Sequence, residues 1–143
     1  MKTLFKVIVL LVAFQFTACK DESDENGSVE IEMLTAHTWA NAQVTHDDGD
    51  LSDQYESFAI VFTKNPSSGF DGTFVVSNGG YAFSESSGLW KFNEDFSKII
   101  LSSGKEMVAE INEEQLLLEF TVAPETGRLM GTSGNFLFNL QPL

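Results

Sequence analysis

The chain holds a single cysteine and two histidines in 143 residues. One thiol cannot close an intramolecular disulfide, and a Cys-rich zinc site needs more ligands than these three residues offer. Positive charge is also scarce. Eight Lys and Arg stand against 21 Asp and Glu, a formal net charge of −13, which excludes a nucleic-acid grip that works by neutralising phosphates. Long hydrophobic runs are missing too: the best is the eight-residue stretch 7–14, Val-Ile-Val-Leu-Leu-Val-Ala-Phe, far short of the ~20 residues a spanning helix requires. No run of ten or more residues carries a convincing helical period. Only 28–35, with Val29, Ile31 and Leu34 apolar, predicts a turn or two of helix leading into the first strand.

What is present at the N-terminus is an address. Lys2 and Lys6 precede the apolar stretch, and Thr17-Ala18-Cys19 follows it as a small-residue exit, the three parts of a secretory signal. An ordinary signal peptidase cutting after Ala18 would meet Phe16 at its −3 position, where a small residue belongs, so simple secretion is disfavoured. The stretch resembles the lipobox of bacterial lipoproteins, with Phe16 where Leu is usual. The resemblance implies cleavage before Cys19, a diacylglyceryl thioether on its sulfur, and a signal peptide of residues 1–18. The next residues, Lys20-Asp21-Glu22-Ser23-Asp24-Glu25, look like the Lys-plus-acidic export signal of Bacteroidota surface lipoproteins. That likeness implies an outer-membrane protein, lipid-anchored and facing the medium, with Lys20, Asp21 and Glu22 as the signal. The same segment also reads as a plain solvated tether over 19–28, about 15–18 Å long as a coil. A mature surface this acidic repels anionic headgroups, so attachment to the membrane falls to the acyl chains.

From residue 29 onward, short apolar runs alternate with turn formers. Candidate strands are 37–45, 56–63, 70–77, 80–84, 88–93, 98–101, 105–111, 115–122 and 135–140. The segments between them are rich in Gly, Asn, Asp, Ser and Pro, as in Asp47-Asp48-Gly49-Asp50 and Ser102-Ser103-Gly104. Period-two patterning is clear in three of the runs. Met107, Ala109 and Ile111 oppose Glu106 and Glu110; Leu116, Leu118, Phe120 and Val122 oppose Glu119 and Thr121; Phe136, Phe138 and Leu140 oppose Asn135 and Asn139. Each such strand has one buried and one wet face, which predicts an antiparallel meander closed into a barrel or folded into a sandwich.

Several motifs narrow the choice. Leu34-Thr35-Ala36-His37-Thr38-Trp39, Gly88-Leu89-Trp90-Lys91-Phe92, Phe96-Ser97-Lys98-Ile99-Ile100-Leu101 and the closing Phe136-Leu137-Phe138-Asn139-Leu140 resemble the small lipocalin-like domains of Bacteroidota lipoproteins. His37 stands where that group's Leu-x-Gly-x-Trp has Gly. The resemblance implies an all-β fold over 29–143, an up-and-down meander of about eight strands closing into a small lipocalin-like β-barrel, with Trp39 plugging one end.

Motifs that would carry chemistry are thin. His37 and His46 fall at opposite ends of one candidate strand, too far apart to share a metal, and read as partly exposed side chains. The acidic loop 46–53 lacks the spacing of an EF-hand, because Asp53 and Ala59 occupy the places of its Gly and bidentate Glu. No serine lies in Gly-x-Ser-x-Gly, and Glu113-Glu114 read as a solvated turn. The sequence therefore predicts no enzyme, no metal and no cofactor. Strand 37–45 has two registers. Trp39 inward would bring Asn41, Gln43 and Thr45 over an aromatic floor; the alternative buries Ala40, Ala42 and Val44. Two functional classes remain: a barrel that binds a small hydrophobic or amphipathic ligand, or an accessory subunit whose outer face meets a cell-envelope protein partner. An open apolar cavity would favour the first and a filled interior the second.

Overall fold

The computed structural model describes residues 22–47, 49–67, 69–124 and 133–143, with 22–28 as backbone only. A helix, α1 (Glu22–Thr35), leads into β1 (Thr38–His46) and the two-residue β2 (Gly49–Asp50). A single 3-10 turn, η1 (Ser52–Tyr55), follows. The remaining strands are β3 (Ala59–Ser67), β4 (Phe70–Ser77), β5 (Ser87–Phe92), β6 (Lys98–Leu101), β7 (Glu106–Ile111), β8 (Leu116–Val122) and β9 (Gly134–Pro142). Every pairing is antiparallel. β1, β3 and then β4 to β9 pair in sequence, and β9 returns to β1, so eight strands close a barrel while β2 is an extra strand on β1. This is the up-and-down meander predicted from the turn spacing, and closure removes the unpaired edges that an open sheet would expose.

Alternation sorts the walls. Ile60, Phe62, Phe74, Val76, Trp90, Phe92, Ile99 and Leu101 point inward, as do Met107 and Ala109, the Leu116, Leu118 and Phe120 set, and Phe136, Phe138 and Leu140. Gly72 lies between Lys64 and Trp90 in the pairing of β3, β4 and β5. A Cβ there would fall 1.9 Å from the Thr63 carbonyl oxygen and 2.8 Å from Trp90 Nε1. Only glycine allows the strands and the indole to approach this closely.

β1 follows neither simple register. Trp39 is inward and fully buried, yet Ala42, Val44 and His46 are buried as well, while Asn41, Gln43 and Thr45 are exposed. The pairing with β9 slips between Ala40 and Gln43, and Asn41 takes φ +51°. A bulge inserts one residue and reverses the inward parity, and Asn is among the few non-glycine residues that tolerate this left-handed conformation. The amide-lined interior that one register offered is therefore absent from this strand.

Three further expectations are corrected. Residues 80–84 form no strand. Asn78 and Gly80 both take φ +54°, the Phe83 amide donates to the Gly79 carbonyl at 3.1 Å, and the loop curls so that Ala82 and Phe83 are both buried while Tyr81 is exposed. Neighbouring buried residues are incompatible with an alternating strand. His46 is not partly exposed but buried, because the Asn41 bulge turns it inward. Its Nε2 lies 3.1 Å from the Ser133 carbonyl oxygen and its ring 4.6 Å from that of Phe136. His37 does stay at the opposite end, edge-on to Trp39. The helix begins at Glu22 rather than near residue 28.

Candidate functional site

The barrel interior is occupied by its own side chains. Tyr55, Phe58, Phe83 and Phe120 surround Phe138 with ring centroids 4.9–5.7 Å apart. Trp90 meets Phe62 and Phe92 edge-on at 5.6 Å. Such packing approaches organic-crystal density and leaves the aromatic rings no reason to part for a ligand.

The two ends differ. At the helix end, Leu34 and Trp39 are both fully buried, and Trp39 Nε1 donates to the Leu34 carbonyl at 2.9 Å. The far end, here called the mouth, is where β1, β4, β6 and β8 finish. A groove of about 870 Å3 opens there, with Tyr81, Phe83, Glu85, Lys105, Thr121 and Val122 in its lining. That volume lies within the roughly 300–1,000 Å3 usual for small-molecule sites.

Lys105 sits at the centre of the groove wall. Gly104, at φ +91°, ends the β6–β7 turn and aims the next side chain across the mouth. The Lys105 stem crosses apolar surface, and Nζ stands 4.0 Å from the Phe120 ring centroid and 4.5 Å from that of Phe83, positions in which a ring face attracts a cation. Nζ donates a short hydrogen bond to the Ala82 carbonyl. Loss of water around the ammonium lowers its pKa to about 8, against the opposing pull of the Glu85 carboxylate. Glu85 Oε2 is buried and has no hydrogen-bond partner among the described residues. Burial pushes the Tyr55 hydroxyl up, while amides of Ala82 and Tyr81 pull it down. The loop 78–86 thus carries Phe83, Glu85 and the Ala82 carbonyl to one lysine.

None of this was singled out from the sequence, where 80–84 read as a strand and Lys105 as the start of strand 105–111. A signal was available: Ala82-Phe83 beside Gly79-Gly80 lacks the period-two pattern that is clear in 105–111, 115–122 and 135–140.

Of the residues the sequence did single out, Cys19, Lys20 and Asp21 lie outside the described residues, and Glu22 is seen only as the first backbone position of α1. The acidic loop after β1 is engaged in its own turn. Asp47 Oδ2 accepts from the Asn135 amide at 2.9 Å. Asp50 accepts from the Ser52 hydroxyl and amide, which holds its carboxyl below the usual range. Among the described residues no three or more His, Cys, Asp or Glu gather where they could hold a metal ion, and no helix is long and apolar enough to cross a membrane. No family model, curated protein or solved structure matches this chain.

Proposed function

We propose that the protein is a non-enzymatic binding module held at the outer membrane by a lipid on Cys19, displayed to the medium through Lys20, Asp21 and Glu22, and that it takes a small amphipathic ligand in the groove at its mouth. The N-terminal half of this reading rests on the lysines, apolar run and cysteine of residues 1–22. The ligand half rests on one observation. The interior is filled, whereas the mouth opens a groove of mixed polar and apolar lining beside a partly desolvated ammonium. Buried charge with incomplete compensation, set in a cleft, is the usual mark of a binding site.

Amide chemical-shift mapping of the full chain carrying Cys19→Ser, titrated with an amphiphile, tests the ligand half. Shifts should concentrate at Tyr81, Phe83, Lys105 and Val122, with Trp39 and Leu34 unmoved. Shifts centred on Trp90 or Trp39 would mean that the core opens, and the groove reading would fall. For the anchor, Cys19→Ser should move the protein from the membrane to the soluble fraction, because no other segment is apolar enough to retain it; a Ser variant still pelleting with membranes would rule the lipid out.

The filled interior also supports a second reading, an accessory subunit that meets an envelope protein through its outer face. Val108, Glu119 and Leu137 lie in one register row across β7, β8 and β9, with Val108 and Leu137 exposed. Co-purification of a stoichiometric partner, lost in Leu137→Glu and retained in Lys105→Met, would select it.

A further inference from the structure

We infer that the ligand of the mouth groove is an amphiphile with one singly charged anionic head, of the carboxylate kind, seated on the Lys105 ammonium with its tail along Tyr81 and Val122. The inference rests on the groove being a ligand site and adds what that site selects.

An ammonium has three N–H donors. At Lys105 one is given to the Ala82 carbonyl, the only hydrogen-bond acceptor it has among the described residues. Phe83 and Phe120 flank it with ring faces, which attract positive charge but replace little of the water that burial removes. A bound anion would restore that lost stabilisation by supplying charged acceptors to the remaining donors, the stronger class of hydrogen bond.

The neighbourhood narrows the head further. Glu85 faces the same ammonium from the loop, and its Oε2 is already buried without a partner. Among the described residues Glu85 is the one charged group that acts on the Lys105 ammonium. One carboxylate therefore stands opposite one lysine, and a head with a single negative charge meets less repulsion than a doubly charged one. The rest of the surface gives an anion nothing, since the chain carries a net charge of −13. Any preference for an anionic amphiphile must then come from a local cation, and in the groove that cation is Lys105. Beside it, the exposed Tyr81 ring and half-buried Val122 supply apolar surface for a tail.

Affinity should follow the charge on Lys105. A head that needs the ammonium binds fully below its pKa of about 8 and loses that contribution as pH rises through it.

The test uses the full chain carrying Cys19→Ser, so that no acyl chain of its own competes. Dodecanoate, dodecanesulfonate and uncharged dodecyl maltoside are titrated calorimetrically below their micelle concentrations at pH 7 and pH 9.5. At pH 7 the anionic probes should bind about tenfold or more tightly than the maltoside, the range expected of a charged hydrogen bond. That advantage should shrink at pH 9.5. Lys105→Met should abolish it at both pH values while leaving maltoside binding in place. Lys105→Arg should keep it at both, because guanidinium does not titrate there. Equal binding of all three probes, or an anion preference that survives Lys105→Met, overturns the head assignment and leaves the groove reading standing. Failure of every probe to bind overturns the groove reading and this inference together. Thermal unfolding of both variants confirms that they remain folded.

Discussion

The helix end and the mouth of this barrel solve the same problem with opposite results. Both must keep water out of a cylinder lined with phenylalanine. At the helix end a fully buried Trp39 covers the interior, its one polar atom is satisfied by the Leu34 carbonyl, and Leu34 seals beside it. At the mouth the cover is assembled from separate segments: Tyr55 and the following Phe58 from the η1 region, Phe83 from the 78–86 loop, and Lys105 from the start of β7. That cover includes an ammonium short of water, while each end leaves one buried carboxylate oxygen without a partner among the described residues, Glu85 Oε2 at the mouth and Glu30 Oε2 on α1. The first arrangement is what stability alone would favour. The second keeps polar groups under partial burial that apolar side chains could have replaced at lower cost. What sets the mouth apart is its desolvated ammonium.

The contrast can be broken or sharpened by substitution. Trp39→Ala should have the largest effect, about 3–5 kcal/mol from lost contacts and the cavity left behind, read as a fall in the urea midpoint. That is a large share of the roughly 5–15 kcal/mol a domain of this size holds. Phe83→Ala should come next, near the lower end of the same range, because its loop can settle onto Phe58 and Phe138 more readily than a barrel end can close over a missing indole. If Phe83→Ala proved the more damaging, the mouth would be the structural keystone and the division between the ends would be wrong.

Lys105 gives a smaller, signed effect. Its folded pKa lies near 8, below the ordinary lysine value of 10.5, so between these values the unfolded chain binds more protons than the folded one. Stability should therefore rise with pH across that window. Lys105→Met should flatten the rise and leave the protein as stable as the parent, or more so, at pH 7. The Tyr55 hydroxyl, pushed up by burial, acts in the opposite sense above pH 10. Thermal midpoints from pH 7 to 9.5 isolate the lysine. A rise that persists in Lys105→Met would assign it to another group.

The smallest effect should come from the barrel wall between the ends. Glu119 is exposed on β8 between buried Leu118 and Phe120, so Glu119→Ala should change stability by less than about 0.5 kcal/mol. Leu118→Ala should cost about 2–5 kcal/mol. A reversed order would mean that β8 faces the other way.

The walls were legible because each inward set repeats at period two. β4 and β6 span the residues expected of them, and the inward faces of β7, β8 and β9 are the predicted ones. β1 was not legible, since its parity depends on one residue, Asn41, in a left-handed conformation. That conformation is stabilised by what lies on either side. β1 pairs with β3 only at Thr38 and Trp39; beyond the bulge, Val44 instead accepts from the Leu51 amide and donates to the Ser52 hydroxyl. The mouth was hidden for a related reason: its groups lie far apart in sequence, and no local pattern relates Ala82 to Lys105.

The sequence by itself determined that the chain is an antiparallel β meander with phenylalanine-rich inward faces and a strongly acidic exterior. These properties arise from residues two apart or from simple sums over composition. Tertiary structure alone decided that the meander closes β9 onto β1, that the interior is filled rather than hollow, and that a lysine unremarkable in its own strand stands over two phenylalanine rings. Closure and packing depend on distances between residues remote in the chain, which one-dimensional periodicity does not encode. The desolvation that sets Lys105 apart exists only once a distant loop folds over it.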